Sequence, residues 1–258
     1  MKQLTEKQIV ENWGKLIQLI EDTFDGDRKD KLLEMYKYFE DRMSVAPASG
    51  KAAYHNAMIG GYVEHVLHVT DCALQIKKLW ESNGAMINFT DEELVFAAMH
   101  HDLGKVGDLT EDYYIPQDSE WHRKNRGEIF KHNPNLQYMT VTDRAIFLLN
   151  HFGISMSQWE YIGLKLTDGM YEEANKSYYM SYNPDWGLKS NIAYILHQAD
   201  MMATHIEFDE WNRADEEFNT NLTTNMKKAV EPKTETKQPS PKLSEKSQTL
   251  FDELFGEK

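Results

Sequence analysis

The chain of 258 residues contains one cysteine, Cys72. A single thiol excludes an intramolecular disulfide and any cysteine-rich zinc site. Long apolar runs are missing as well, and no stretch approaches the ~20 residues needed to span a bilayer. The opening "MKQLTEKQIVENW" has no apolar segment of the kind a secretory signal needs. The sequence therefore predicts a soluble, cytoplasmic protein with no membrane partner. Positive charge is in deficit, 28 Lys and Arg against 42 Asp and Glu, for a net charge of −14. So acidic a surface repels phosphate chains, which argues against nonspecific nucleic-acid binding by bulk charge. Any nucleotide chemistry must use a local basic patch or bound cations. Alternating strand patterns of useful length are absent, and there is no internal repeat.

What remains is helical periodicity. Ile9, Trp13, Leu16, Ile17 and Ile20 recur at steps of three and four, and Leu32, Leu33, Tyr36, Phe39 and Met43 resume the pattern after a break at Asp25–Gly26. Residues 5–43 thus read as two helices, an N-terminal unit (1–44) packed on a main domain (45–215). "SVAPASGKAAYHN" is a loop. A helix runs from Gly61 to about Trp80, and Thr90 with Glu93 forms a capping-box signature for another ending near His101. Residues 106–135 read as a long loop with a short helix near Arg126–His132, followed by helices at about 141–151, 157–166 and 189–211. The expected fold class is an all-α bundle.

Beyond Phe218 the composition changes. "KKAVEPKTETKQPSPKLSEKSQ" is polar and proline-bearing, and it cannot bury enough apolar surface to offset ordering entropy, which predicts a disordered linker over 216–246. Residues 247–258 then bring back Leu250, Phe251, Leu254 and Phe255, too few for a core and suited to docking on a partner.

"AAMHHDLGKVGD" places His100, His101 and Asp102 at the end of an apolar run, followed by Gly104 and Lys105. Imidazole and carboxylate are the ligands of hard or borderline divalent metals. An adjacent His-Asp pair supplies one of each if the backbone turns, which Gly104 permits. His65 in "GGYVEHVLHV" and Asp200 in "ILHQADMM" supply further ligands, and a carboxylate in so apolar a segment as the latter usually has a cation or hydrogen-bond partner. Each residue taken alone has a plainer account, as a helix cap or a solvent-facing acid. The ordered set is harder to dismiss.

That set resembles the H…HD…D signature of the HD superfamily of metal-dependent phosphohydrolases. "HNAMIGGYVEHVLHV", "HHDLGKVGDL" and "ILHQADMMATHIE" are similar to the matching stretches of HD-domain 3′–5′ exoribonucleases, and the chain is also similar to HD proteins of T-even-type tailed phages, whose setting is a host cytoplasm. The resemblance covers about residues 45–210. It implies a helical HD domain, with His65, His101, Asp102 and Asp200 holding a first divalent ion (Mn, Fe, Co, Ni or Mg). His122 and His151 are candidates for a second, although Phe152 stands where relatives carry another histidine. The implied activity is hydrolysis of phosphoester or phosphoanhydride bonds in nucleotides or nucleic-acid ends. Lys105 is the favoured phosphate-facing group, Asp102 and His122 are further catalytic candidates, and His55, Arg123, Arg126 and Tyr171 are candidates for binding substrate. The tail resembles the sliding-clamp-binding peptides of phage replication proteins. Its linker reaches roughly 30 Å by coil statistics and would hold the domain near DNA at an effective concentration on the order of millimolar. Two alternatives stay open: a clamp-binding adaptor with a non-catalytic pocket, and a phosphodiesterase or pyrophosphohydrolase for signalling nucleotides.

Overall fold

A computed structural model describes residues 3–225 other than 53, 182 and 184, and for residues 212 and 214–225 it describes the backbone only. The fold is all-α, as expected. Helix α1 (Glu6–Thr23) starts at a capping box in which Thr5 and Gln8 satisfy each other's backbone N–H. Helix α2 (Gly26–Met43) follows the expected break and buries Leu32, Met35, Tyr36, Phe39 and Met43. Helix α3 (Gly61–Ser82) and helix α4 (Asp91–His100) form the centre, and Thr90 and Glu93 make the expected capping box. Helices α6 (Val141–His151) and α7 (Gln158–Lys165) begin at Thr140 and Ser157 caps, and α9 (Ile192–Asn225) closes the bundle.

The core divides in two. One apolar cluster joins α1, α2 and α6 to one face of α3 and α4 through residues such as Leu16, Phe39, Val66, Phe96 and Leu148. The second joins the other face of α3 and α4 to α9 through Val69, Ala73, Ala97, Ile195 and Ala199. Helices α3 and α4 therefore have apolar partners on both sides, which fixes their relative position.

The structure departs from expectation in two places. The short helix of the long loop is α5 (Glu120–Arg126), not 126–132, because the Ser119 hydroxyl accepts from His122 N (3.4 Å) and starts the helix there. Residues Phe130–His132 instead form a strand, β2, antiparallel to β1 (Tyr114–Pro116), with Ile115 opposite Lys131. At three residues each, these strands are too short to show alternation. The backbone of helix α9 continues to Asn225. No proline lies between Ile192 and Pro232 to stop it. The remainder of the linker and the docking peptide with Leu250, Phe251, Leu254 and Phe255 lie outside the described residues. A four-residue helix, α8 (Lys176–Tyr179), completes the set.

Candidate metal centre

His65 is on the buried face of α3, and Asp200 is on α9 opposite it. His101 caps α4, and Asp102 begins a 3-10 turn, Leu103–Val106. The turn passes directly under the start of α6, where a Cβ on Gly104 would stand 2.0 Å from Val141 O. Gly104 is thus required by close backbone approach, whereas the sequence suggested a need for an unusual turn conformation.

The four side chains converge. His65 Nε2 is 3.3 Å from Asp200 Oδ1 and 3.7 Å from Asp102 Oδ2, and His101 Nε2 is 3.8 Å and 3.5 Å from the same two atoms. Neither Nε2 is aligned for a hydrogen bond, and both are buried without a partner. Their other ring nitrogens are well held. His101 Nδ1 donates to Ala98 O at 2.7 Å, and His65 Nδ1 donates to Glu207 Oε2 at 3.0 Å. An imidazole whose Nδ1 carries the proton presents a lone pair at Nε2. When Nε2 is unprotonated, each lone pair faces the Asp102 and Asp200 carboxylates. A buried polar atom left unsatisfied costs about 1–3 kcal/mol, so two in one place demand an explanation, and a cation supplies it.

Charge points the same way. Asp102, Asp200 and Glu207 crowd the two rings, with Lys105 Nζ 2.6 Å from Asp102 Oδ2 as the nearby fixed cation. Burial opposes the charge on His65, yet Glu207 and Asp200 hold its pKa up at about 10, so near neutral pH a proton occupies Nε2 and a bound metal ion would displace it. Burial likewise opposes ionisation of Asp200 and Glu207, but His65 and its neighbours bring each to about 2. Asp102 is held well below the usual range against its own burial, by Lys105 and His101. The pocket is built to attract positive charge, and His65, His101 and Asp102 offer ligand atoms that all lie within 4.8 Å of one another. Two imidazoles with carboxylates and no thiolate suit a hard or borderline divalent ion.

The other expected site residues are distributed unevenly. His55 is close, its ring 4.4 Å from that of His65 and its Nε2 buried without a partner. Burial, then the charges of His65 and Lys105, push its pKa down to about 3. His55, His65 and Glu207 form a second group able to hold a metal. It shares His65, whose single neutral lone pair serves one ion at a time. His151 is at the exposed end of α6 against Phe147 and Phe152, and Phe152 packs on Tyr38 and Phe39 of α2. On α5, His122 stands edge-on to Trp121 with its Nδ1 buried and unpartnered. Arg123 is exposed, Lys124 pairs with Glu120, and Arg126 lies over Trp121 and near Glu128. Among the described residues, none of these ring contacts and ion pairs joins His122, Arg123, Arg126 or His151 to the four converging ligands. Tyr171 is exposed in a separate aromatic cleft.

Glu207 escaped the sequence reading, although it lies seven residues after Asp200 and therefore on the same face of α9. It also accepts from His68 Nδ1 at 2.9 Å, so one carboxylate orients two histidines of α3. Asp168 escaped too. It carries no motif, and only the fold brings it within electrostatic range of Asp102, Asp200 and Lys105. Asp108 folds back on its own loop, accepting from Thr110 N and Glu111 N. Compared with family models, with curated proteins and with solved structures, the chain shows no match, so the geometry above carries the functional argument.

Proposed function

We propose that the chain is a divalent-metal-dependent phosphohydrolase that cleaves phosphoester or phosphoanhydride bonds in nucleotides or nucleic-acid ends, in the manner implied by its resemblance to the HD superfamily. The observation that carries this reading is the pair of buried, unpartnered nitrogens, His65 Nε2 and His101 Nε2, facing the carboxylates of Asp102 and Asp200. A divalent ion held there supplies Lewis acidity and lowers the pKa of a bound water. Glu207 fixes the tautomer of His65, and Ala98 O fixes that of His101. Lys105, buried against Asp102, contributes a fixed positive charge at the edge of the site, where phosphate oxygens gain negative charge. His55 borders the same space.

The test is metal analysis together with a substrate panel. Full-length protein stripped of metal and reloaded with Mn²⁺, Mg²⁺, Fe²⁺, Co²⁺ or Ni²⁺ should take up about one equivalent and release phosphate, pyrophosphate or mononucleotide from at least one substrate. EDTA or Asp102→Ala should remove both properties. Undiminished hydrolysis in EDTA would overturn the reading, and metal uptake with no hydrolysis would favour the adaptor. The clamp-docking role of Leu250, Phe251, Leu254 and Phe255 rests on the sequence alone. Phe251→Ala with Phe255→Ala should abolish clamp binding and leave hydrolysis of a small substrate unchanged.

A further inference from the structure

The ligand side chains differ in exposure: 0% for His65, 2% for His101, 12% for Asp102 and 25% for Asp200. The centre therefore opens on the α9 side, at Asp200. His197 lies one helical turn before Asp200, so the two share a face of α9. Around His197 is a cleft of about 430 Å³ lined by Met170, Tyr171, Tyr179, Tyr194 and Gln198. The cavity beside Lys105, by contrast, is about 70 Å³. Only the first has the size of a small-molecule site.

The walls of this cleft are fixed before any ligand arrives. His197 Nδ1 donates to Thr167 O at 2.7 Å. The next turn presses so close that a Cβ on Gly169, which has φ +55°, would stand 2.5 Å from the His197 ring. The Tyr179 hydroxyl donates to Leu166 O at 2.7 Å, and its ring stands edge-on to Tyr194 at 5.2 Å. Gln198 Oε1 accepts from Trp80 Nε1 at 3.0 Å, which sets the amide plane and assigns its NH2 as a donor. Tyr171, 84% exposed, stands edge-on to His197 at the mouth, a large ring with one side uncovered. Asp168 connects the two regions, since its carboxylate acts on Asp102 and Asp200 and also on Tyr179.

We propose that this cleft seats the base of a nucleotide whose phosphate lies at the metal centre, with Tyr171 stacking on the base, Gln198 donating to its edge and the sugar passing Asp168. Rigid aromatic walls with one amide donor suit a planar heterocycle with acceptors on its rim, and every base offers a π-face. The placement one turn from Asp200 leaves room for the sugar that separates base from phosphate. This inference rests on the phosphohydrolase reading and narrows its substrates to those that carry a base.

Two measurements test it. The first is calorimetric titration of the full-length, metal-free protein with the four common nucleosides and with ribose 5-phosphate. The nucleosides should bind and ribose 5-phosphate should not. Tyr171→Ala should weaken nucleoside binding by about five- to a hundredfold, the range of one base–aromatic stack, and Tyr171→Phe should retain it. Because Tyr171 is so exposed, neither change threatens folding. The second is hydrolysis by Mn²⁺-loaded protein of AMP, of a short oligoadenylate and of ribose 5-phosphate. A base-bearing substrate should be preferred by the same factor in kcat/KM, and Tyr171→Ala should remove the preference by raising KM for that substrate alone. Equal treatment of AMP and ribose 5-phosphate, no nucleoside binding, or a Tyr171→Ala effect on both substrates alike would each overturn the inference. If no phosphoester is cleaved, the phosphohydrolase reading fails, and the titrations still decide the cleft.

Discussion

The two ends of α4 hold buried polar groups of opposite character. At its first turn, Arg28 from α2 donates to Glu92 at 3.0 Å and to Glu160 of α7 at 2.6 Å, with its guanidinium 4.3 Å above the Phe96 ring. The second Glu160 oxygen accepts from Ser157 N, and the Ser157 hydroxyl donates to Glu93. Apart from Arg28 Nε, each of these groups has its partner. At the other end, two imidazole nitrogens face two carboxylates and hydrogen-bond to nothing. Both sets bear charge, and each has a buried carboxylate or imidazole at its centre, Glu160 in one and His65 in the other. One is paired at all but Arg28 Nε and joins three helices. The other gathers two imidazoles and two carboxylates around a space that protons or a metal ion can fill. The contrast repeats within a single dipeptide. His100 donates from Nδ1 to Phe96 O and meets the Tyr36 hydroxyl at Nε2, and burial pushes its pKa down to about 3. His101 has only its Nδ1 engaged. In this pair of ends the better-satisfied set holds the scaffold, and the less satisfied one marks the candidate site.

The largest expected break in this comparison is Asp200→Asn. The fold should persist, while metal uptake and hydrolysis fall to background. A metal at about a hundred times its dissociation constant stabilises the native state by about 2.7 kcal/mol, which for a chain of this size is a rise in Tm of roughly 5–10 °C. Calorimetry should show that rise in the parent and not in Asp200→Asn. A variant that still gains the full increment would remove Asp200 from the ligand set.

Arg28→Ala should act in the opposite sense. Leaving Glu160 buried without its cation should cost about 3 kcal/mol, lowering Tm by roughly 6–12 °C, with metal stoichiometry and kcat unchanged at temperatures where the variant is folded. Loss of metal binding in this variant would mean that the two ends of α4 are coupled, and the division drawn above would have to go.

Smaller effects sharpen the same contrast. Glu207→Gln keeps the shape but weakens the acceptor that orients His65 and His68, and should weaken metal affinity about 10–100-fold, read by competition with a chelating dye. The smallest effect belongs to Ser157→Ala, which removes the α7 cap and one hydrogen bond to Glu93. It should cost about 1 kcal/mol, seen as a shift of a few degrees in Tm and no change in metal affinity.

The part of the molecule legible in the sequence is the part written in local periodicity. The starts of α1, α2, α3, α4 and α6 fall where caps and breakers put them, and His65, His101, Asp102 and Asp200 stand out because charged or imidazole groups interrupt apolar helices. Glu207 was as well placed as Asp200. The sequence around it, "HIEFDEW", is rich in acids, and nothing local says which of them points inward. The β1–β2 pair is set by tertiary packing of Phe130 and Tyr114 around Gly50, which no local pattern encodes. His151 illustrates the converse. The resemblance offers it as a ligand, and the fold sets its ring against Phe147 and Phe152 at the end of α6.

Helix α9 is 34 residues long, about 51 Å at 1.5 Å per residue. Asp200 and Glu207 occupy its first half, and Asn225 lies about 38 Å farther along the axis than Asp200. The helix is therefore a ruler as well as a wall. Residues 226–258 are joined to its far end, so their point of attachment is tens of ångströms from the ligands. Inserting or deleting a single helical turn between Glu207 and Asn225 would change that separation by about 5 Å without touching a single ligand.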